Sequence, residues 1–222
     1  MIVNPILYEA GVAPSSVKYL NAGTEWAQVT AEGRADAALT WEGLRAQWIG
    51  QGLKLKFLLG SQFSRGPSNS YAVRKADLND PAKVDLYTRF LAGVVMGMEF
   101  TKTNPRAAAD ITYGLFPDLQ NTLSPQLALN SMLELAVGYS SSKVNAPYMY
   151  GWHYQSDWQQ YLNVLYALKQ VSRQLQASNL VTNRLVQAAN GKADVARAVK
   201  DARSYKLSAA FAATRVPAGT VL

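Results

Sequence analysis

The sequence contains no cysteine and a single histidine, His153. The first absence excludes disulfides, thiol nucleophiles and cysteine metal sites. The second excludes histidine-rich metal centres and leaves any Ser-His-Asp triad to be built on His153 alone. No apolar run approaches the roughly 20 residues that a membrane-spanning helix requires. Neither common Gly-rich phosphate loop occurs. A dense basic run with interleaved aromatics is also missing: the 22 Lys and Arg that outweigh 15 Asp and Glu to give +7 are scattered along the chain. A solvated basic surface therefore accounts for the charge better than a nucleic-acid groove does. The opening MIVNPILYEAGVAPSSVK lacks the charged leader, apolar segment and cleavage site of a signal peptide. These absences leave no basis for a catalytic residue, a metal or a cofactor, and no nucleic-acid partner is expected.

What is present is a globular composition, 49% hydrophobic against 17% charged over 222 residues, enough for one large domain or two small ones. A short helix is predicted over residues 4–10, with Pro5 in its first turn and Gly11 closing it. Residues 17–21 read as a strand. Thr24 caps a helix that Gly33 stops near Glu32. Residues 35–40 form a second predicted strand, 42–51 a helix ended by Gly52, and 53–59 a third strand. Short helices alternating with short strands are the signature of βαβ units and a parallel sheet.

The stretch GSQFSRGPSNS at residues 60–70 breaks this alternation and reads as a domain crossing. Beyond the strand predicted at residues 71–74 the pattern is helical. Asp80-Pro81 opens a helix with Val84, Tyr87, Leu91, Val94, Val95 and Met98 on one face. Asn104-Pro105 ends it and starts the next. Ser124-Pro125 and Ser156-Asp157 begin two more, and shorter helices are predicted over 183–189 and 193–202.

Binding is a better prospect than catalysis. In open α/β sheets, ligands sit beyond the carboxyl ends of strands, where loops lead into helix N-termini. Trp41 and Glu42, in ADAALTWEG, take that position and offer an indole face for stacking and a carboxylate for ligand N–H or O–H groups. Packing by Trp41 and a favourable first-turn acid at Glu42 account for the same residues equally. Asn69 and Tyr71 flank the crossing, where turn-forming Asn and strand-favouring Tyr are alternative explanations. Asn4 either presents its side chain to a ligand or caps a helix. His153, between Trp152 and Tyr154, reads as a partly buried structural residue rather than a base.

The run EAGVAPSSVKYLNAGTEWAQVTAEGRADAALTWEG resembles the substrate-binding proteins of ABC importers, in the branch of nitrate, sulfonate or taurine, and thiamine-pyrimidine binders. DPAKVDLYTRFLAGVVMGMEFTKTNPRAAADI is similar to that family's helix leading into an Asn-Pro, and SNLVTNRLVQAAN to its C-terminal Thr-Asn…Ala-Ala-Asn segment. The resemblance implies an α/β fold of the periplasmic-binding-protein type II kind, with two lobes and a hinge closing on a ligand. It assigns residues 1–68 to a second-lobe α/β domain lacking its first strand and 69–222 to a helix-rich return to the first lobe. The chain is thus expected to be N-terminally incomplete.

The resemblance further implies a small-molecule ligand and an ABC permease as partners, an extracytoplasmic or periplasmic location, and a monomer at full length. It also carries Trp41 and Glu42, then Asn69 and Tyr71, over as pocket positions. Two other functions stand beside this reading. Eukaryotic relatives make the thiamine pyrimidine with a pyridoxal cofactor, a histidine and a cysteine-rich motif, which a chain without cysteine does not fit. An interaction module built on the Met and aromatic stripes is the other, and core packing explains those stripes more simply.

Overall fold

The computed structural model describes residues 3–23, 25–58, 66–67, 69–140 and 149–217, except the side chain of residue 42. Among these residues the regular structure is helical. Ten α-helices run in the order α1 (Val3–Glu9), α2 (Trp26–Ala31), α3 (Glu42–Gly50), α4 (Pro81–Thr103), α5 (Pro105–Leu115), α6 (Pro125–Tyr139), α7 (Gln155–Ala167), α8 (Arg184–Lys192), α9 (Val195–Ser204) and α10 (Ala209–Ala212).

The expected α/β sheet of a type II binding protein is not observed, since no strand occurs among the described residues. Residues 17–21, 37–40, 53–58 and 71–74 lack regular structure, and several of their large apolar side chains face solvent, Leu58 at 70% exposure and Tyr71 at 65%. Periodicity reports local preference, whereas a strand exists only when neighbouring chains accept its backbone groups and pack its faces. The helices expected to cover such a sheet are also short. α2 has six residues and buries only Ala27 and Val29, and the buried Ala46 and Trp48 belong to α3, which packs on the helix α6. Thr24, Leu59 and most of the predicted crossing at 60–70 lie outside the described residues.

Three helix starts, by contrast, follow the expected cap residues, whereas the start expected at Ser156-Asp157 comes at Gln155, with Tyr154 as an N-cap that makes no side-chain bond. The Asp80 carboxylate accepts from the amides of Ala82 at 2.9 Å and Lys83 at 3.3 Å, with Pro81 at the first helical position of α4. Asn104 ends α4 and caps α5, accepting from the Ala107 amide at 3.0 Å, and Ser124 caps α6 by accepting from Leu127. α2 and α3 end in paired reverse bonds. Gly33 donates to the Thr30 carbonyl and Arg34 to that of Val29; Gly52 donates to Ile49 and Leu53 to Trp48. Each glycine holds the left-handed conformation this terminator needs, at φ 72° and 80°. α7 closes with the same bonds, Lys169 to Tyr166 and Gln170 to Leu165, but places a lysine at φ 55°.

Contacts divide the chain into two units. One comprises Thr40–Lys54, Ala76–Trp152 and Arg184–Leu222. Here α4, at 23 residues about 35 Å long, packs against α8, α9, α6 and α5, while α6 also receives α3. The core gathers Phe211, 1% exposed, with Ala109 and Ala128. The Tyr113 ring meets Phe211 edge-on, with centroids 5.4 Å apart. Asp110 holds α10 in place, accepting from the Ser208 amide at 2.7 Å and its hydroxyl at 2.8 Å.

The other unit comprises Met1–Leu39, Leu55–Lys75 and His153–Asn183, with α1 resting on α7. Its buried residues include Pro5, Ala27, Val29, Leu162, Val164 and Ala177. The Gln159 carboxamide joins α7 to the following segment, donating to the Leu175 carbonyl at 3.0 Å and accepting from the Ala177 amide at 2.9 Å.

Candidate functional site

Trp41 is the N-cap of α3, in an extended conformation at φ −127° and ψ 163°. Its carbonyl accepts from the amides of Leu44 and Arg45, while its side chain is 63% exposed. A methyl group placed on Gly43 would lie 3.8 Å from the indole Cδ1, so the ring lies near the first turn of its own helix. Glu42 begins α3; its side chain lies outside the described residues. The helix below them is fixed to α6 by three contacts. The Ser131 hydroxyl donates to the Gly43 carbonyl at 2.8 Å, Arg45 pairs with Glu134, and Gly50 lies so close to Leu127 that a side chain there would collide with it. The Trp41 position is therefore carried on a supported element.

The remaining expected residues fall in the other unit. Asn4 lies within α1 rather than at its cap, and its Oδ1 accepts from the Tyr19 hydroxyl at 2.6 Å. Asn69 and Tyr71 are exposed on a segment without regular structure. The structure thus places Asn4, Asn69 and Tyr71 in one unit and Trp41 with Glu42 in the other.

Among the described residues a groove opens in each unit. The first, of about 570 Å³, lies where the turn at Lys75–Asn79 enters α4 and is lined by Leu78, Val84, Asp85, Thr88 and Arg184 among others. Its charged groups already have partners. Asp85 accepts from Arg89 at 2.8 Å and Lys192 at 3.2 Å, which hold its carboxyl below the usual carboxylate range, Lys192 most strongly. Arg184 donates to the Leu78 carbonyl at 2.9 Å. The second groove, of about 610 Å³, lies along α1 and α7, and its polar lining consists of hydroxyls and carboxamides.

Sequence reasoning gave His153 a structural role and missed the device around it. The Asn183 carboxamide accepts from the His153 amide at 2.8 Å and donates to its carbonyl at 2.9 Å. Asn190 repeats this at Tyr150, accepting at 2.9 Å and donating at 3.0 Å. These are the asparagines of the Thr-Asn…Ala-Ala-Asn pattern, which was the available signal. The His153 Nδ1 accepts from the Trp158 indole at 3.2 Å, so its proton belongs on Nε2, and burial pushes its pKa down. The Tyr150 hydroxyl donates to Glu99 at 2.6 Å beside Lys102; burial, then that bond, raises its pKa. The Tyr150 hydroxyl thus braces α4 through Glu99 and Lys102. Among the described residues, no three His, Cys, Asp or Glu side chains gather as a metal site.

The described residues thus offer an exposed aromatic on a braced helix start and a groove in each unit. Residues 1–108 match the family model described as NMT1/THI5 like, the family of nitrate-, sulfonate- and taurine-binding substrate-binding proteins of ABC importers. Proteins of this family mostly bind solutes and are typically extracytoplasmic, while THI5-like members are synthases. No curated protein and no solved structure matches the chain. No helix among the described residues is long and apolar enough to cross a membrane.

Proposed function

We propose that the chain is the solute-binding component of an ABC importer, capturing a small polar or aromatic metabolite without covalent chemistry and delivering it, as a monomer, to a permease on the extracytoplasmic side of the membrane. The observation that carries this reading is the NMT1/THI5-like match over residues 1–108. The exposure of Trp41 at the start of α3 supports it, because an open indole face suits a planar or apolar ligand. Asn69 and Tyr71 add a second aromatic and amide pair, and Asn4 retains its amide nitrogen for a ligand while its oxygen serves Tyr19.

Calorimetry on the chain with nitrate, taurine, an alkanesulfonate, an aminopyrimidine and an aromatic acid tests the proposal. Saturable heat with one class, lost in Trp41→Ala without a change in thermal midpoint, is the expected result. Silence across all five classes would refute it.

A further inference from the structure

The groove along α1 and α7 has a largely apolar surface whose described polar groups are hydroxyls and carboxamides, in a chain of net charge +7. It is lined by Tyr8 of α1 and by Ser156, Gln159, Gln160 and Asn163 of α7 over a floor that includes Val164, and none of the described lining residues is charged. Its volume of about 610 Å³ falls in the roughly 300–1,000 Å³ range of small-ligand sites.

Two kinds of side chain share this lining. Gln159 is committed to the protein: its carboxamide is fixed by the Leu175 carbonyl and the Ala177 amide, and its nitrogen also donates to the Asn163 Oδ1 at 3.0 Å. Asn163 is thereby oriented with its oxygen occupied and its Nδ2 left as a donor. Gln160 is exposed and contributes a whole carboxamide. The Ser156 hydroxyl, which donates to Asp157 at 3.3 Å, keeps acceptor capacity. Tyr8 is 49% exposed and offers both a ring face and a hydroxyl.

This inventory selects a ligand class. An ionised solute would lose hydration in the groove and meet no countercharge among the lining residues. A planar heterocycle would stack on Tyr8 and pair one edge with a single carboxamide, leaving the other amide and the hydroxyl unmatched. Adjacent hydroxyls each give and accept a hydrogen bond, as carboxamides do, and a sugar's C–H face packs on an aromatic ring. Because Gln159 sets the orientation of Asn163 before any ligand arrives, part of the ordering cost is already met. We propose that the groove between α1 and α7 is a binding site for a neutral polyhydroxylated ligand, a sugar or polyol, distinct from the Trp41 position.

Saturation-transfer difference NMR on the full chain with glucose, maltose and myo-inositol, and with glucuronate as the anionic control, tests this. At least one neutral probe is expected to bind saturably, with a Kd near or below about 1 mM, and glucuronate to bind at least about tenfold more weakly. Tyr8→Ala and Asn163→Ala should each weaken the neutral probe about tenfold. Gln160→Ala, on the exposed face of α7, should do the same by removing a carboxamide, with the thermal midpoint unchanged. Trp41→Ala should leave sugar binding unchanged, which separates this site from the importer reading. Absence of signal from all three neutral probes, equal binding of glucuronate, or unchanged affinity in folded groove variants would each overturn the proposal.

Discussion

Replacing Asn190 should destabilise the unit that holds α4, α8 and α9, and the choice of substituent tests why. Its carboxamide makes three bonds: it accepts from the Tyr150 amide at 2.9 Å and donates to the Tyr150 and Val186 carbonyls at 3.0 and 2.8 Å. Tyr150 is 8% exposed, so both of its backbone groups depend on protein partners. A net hydrogen bond contributes about 0.5–1.5 kcal/mol, and each stranded buried group costs about 1–3 kcal/mol. Allowing for overlap between these terms, Asn190→Ala should cost about 2–4 kcal/mol. At about 2–4 °C per kcal/mol for a chain of this size, the midpoint falls by about 4–16 °C.

Asn190→Asp keeps the size of the side chain and the bond from the Tyr150 amide. It removes both donors and sets a carboxylate oxygen against two carbonyl oxygens. At neutral pH it should therefore be at least as damaging as alanine. Acidification protonates the carboxyl, restores one donor and should narrow the gap to the parent chain. Thermal unfolding followed by far-UV circular dichroism at neutral and acidic pH reads both effects. A loss below about 0.5 kcal/mol for alanine, within the range of an ordinary surface change, would refute the clamp. So would an aspartate variant that matches the parent at neutral pH.

Three further outcomes follow from other contacts. His153 has its pKa lowered by burial from 6.5, so the unfolded chain takes up a proton first on acidification. Stability is full above pH 6.5 and lost as pH falls through the folded pKa, and His153→Gln should flatten that dependence in midpoint-versus-pH curves. Lys169→Gly, at φ 55°, should stabilise by about 0.5–1 kcal/mol by removing a side chain from a left-handed terminator; a fall in midpoint would count against that account. Phe211→Ala, in the core with Ala109, Ala128 and the edge-on Tyr113 ring, should cost about 3–5 kcal/mol, and a smaller loss in chemical denaturation would mean that the site collapses around the cavity.

What the sequence reveals here depends on how far a signal must reach. Asp80, Asn104 and Ser124 each act within three residues, on amides of their own helix, so the starts of α4, α5 and α6 were readable to within a residue. Gly33 and Gly52 likewise act on their own last turn. The predicted strands depend on partners far away in the chain, and their alternation is equally compatible with extended segments whose leucines and tyrosines face solvent.

The asparagine pattern lies between these cases. Asn183 and Asn190 reach 30 and 40 residues back to His153 and Tyr150, so spacing reveals nothing, yet a residue that must give and accept at once is hard to replace. The amide groove was hidden for a related reason. Gln159, Gln160 and Asn163 look like an ordinary polar face of α7, and only the Leu175 and Ala177 backbone, by fixing one of them, distinguishes the positioning amide from those left to meet a ligand.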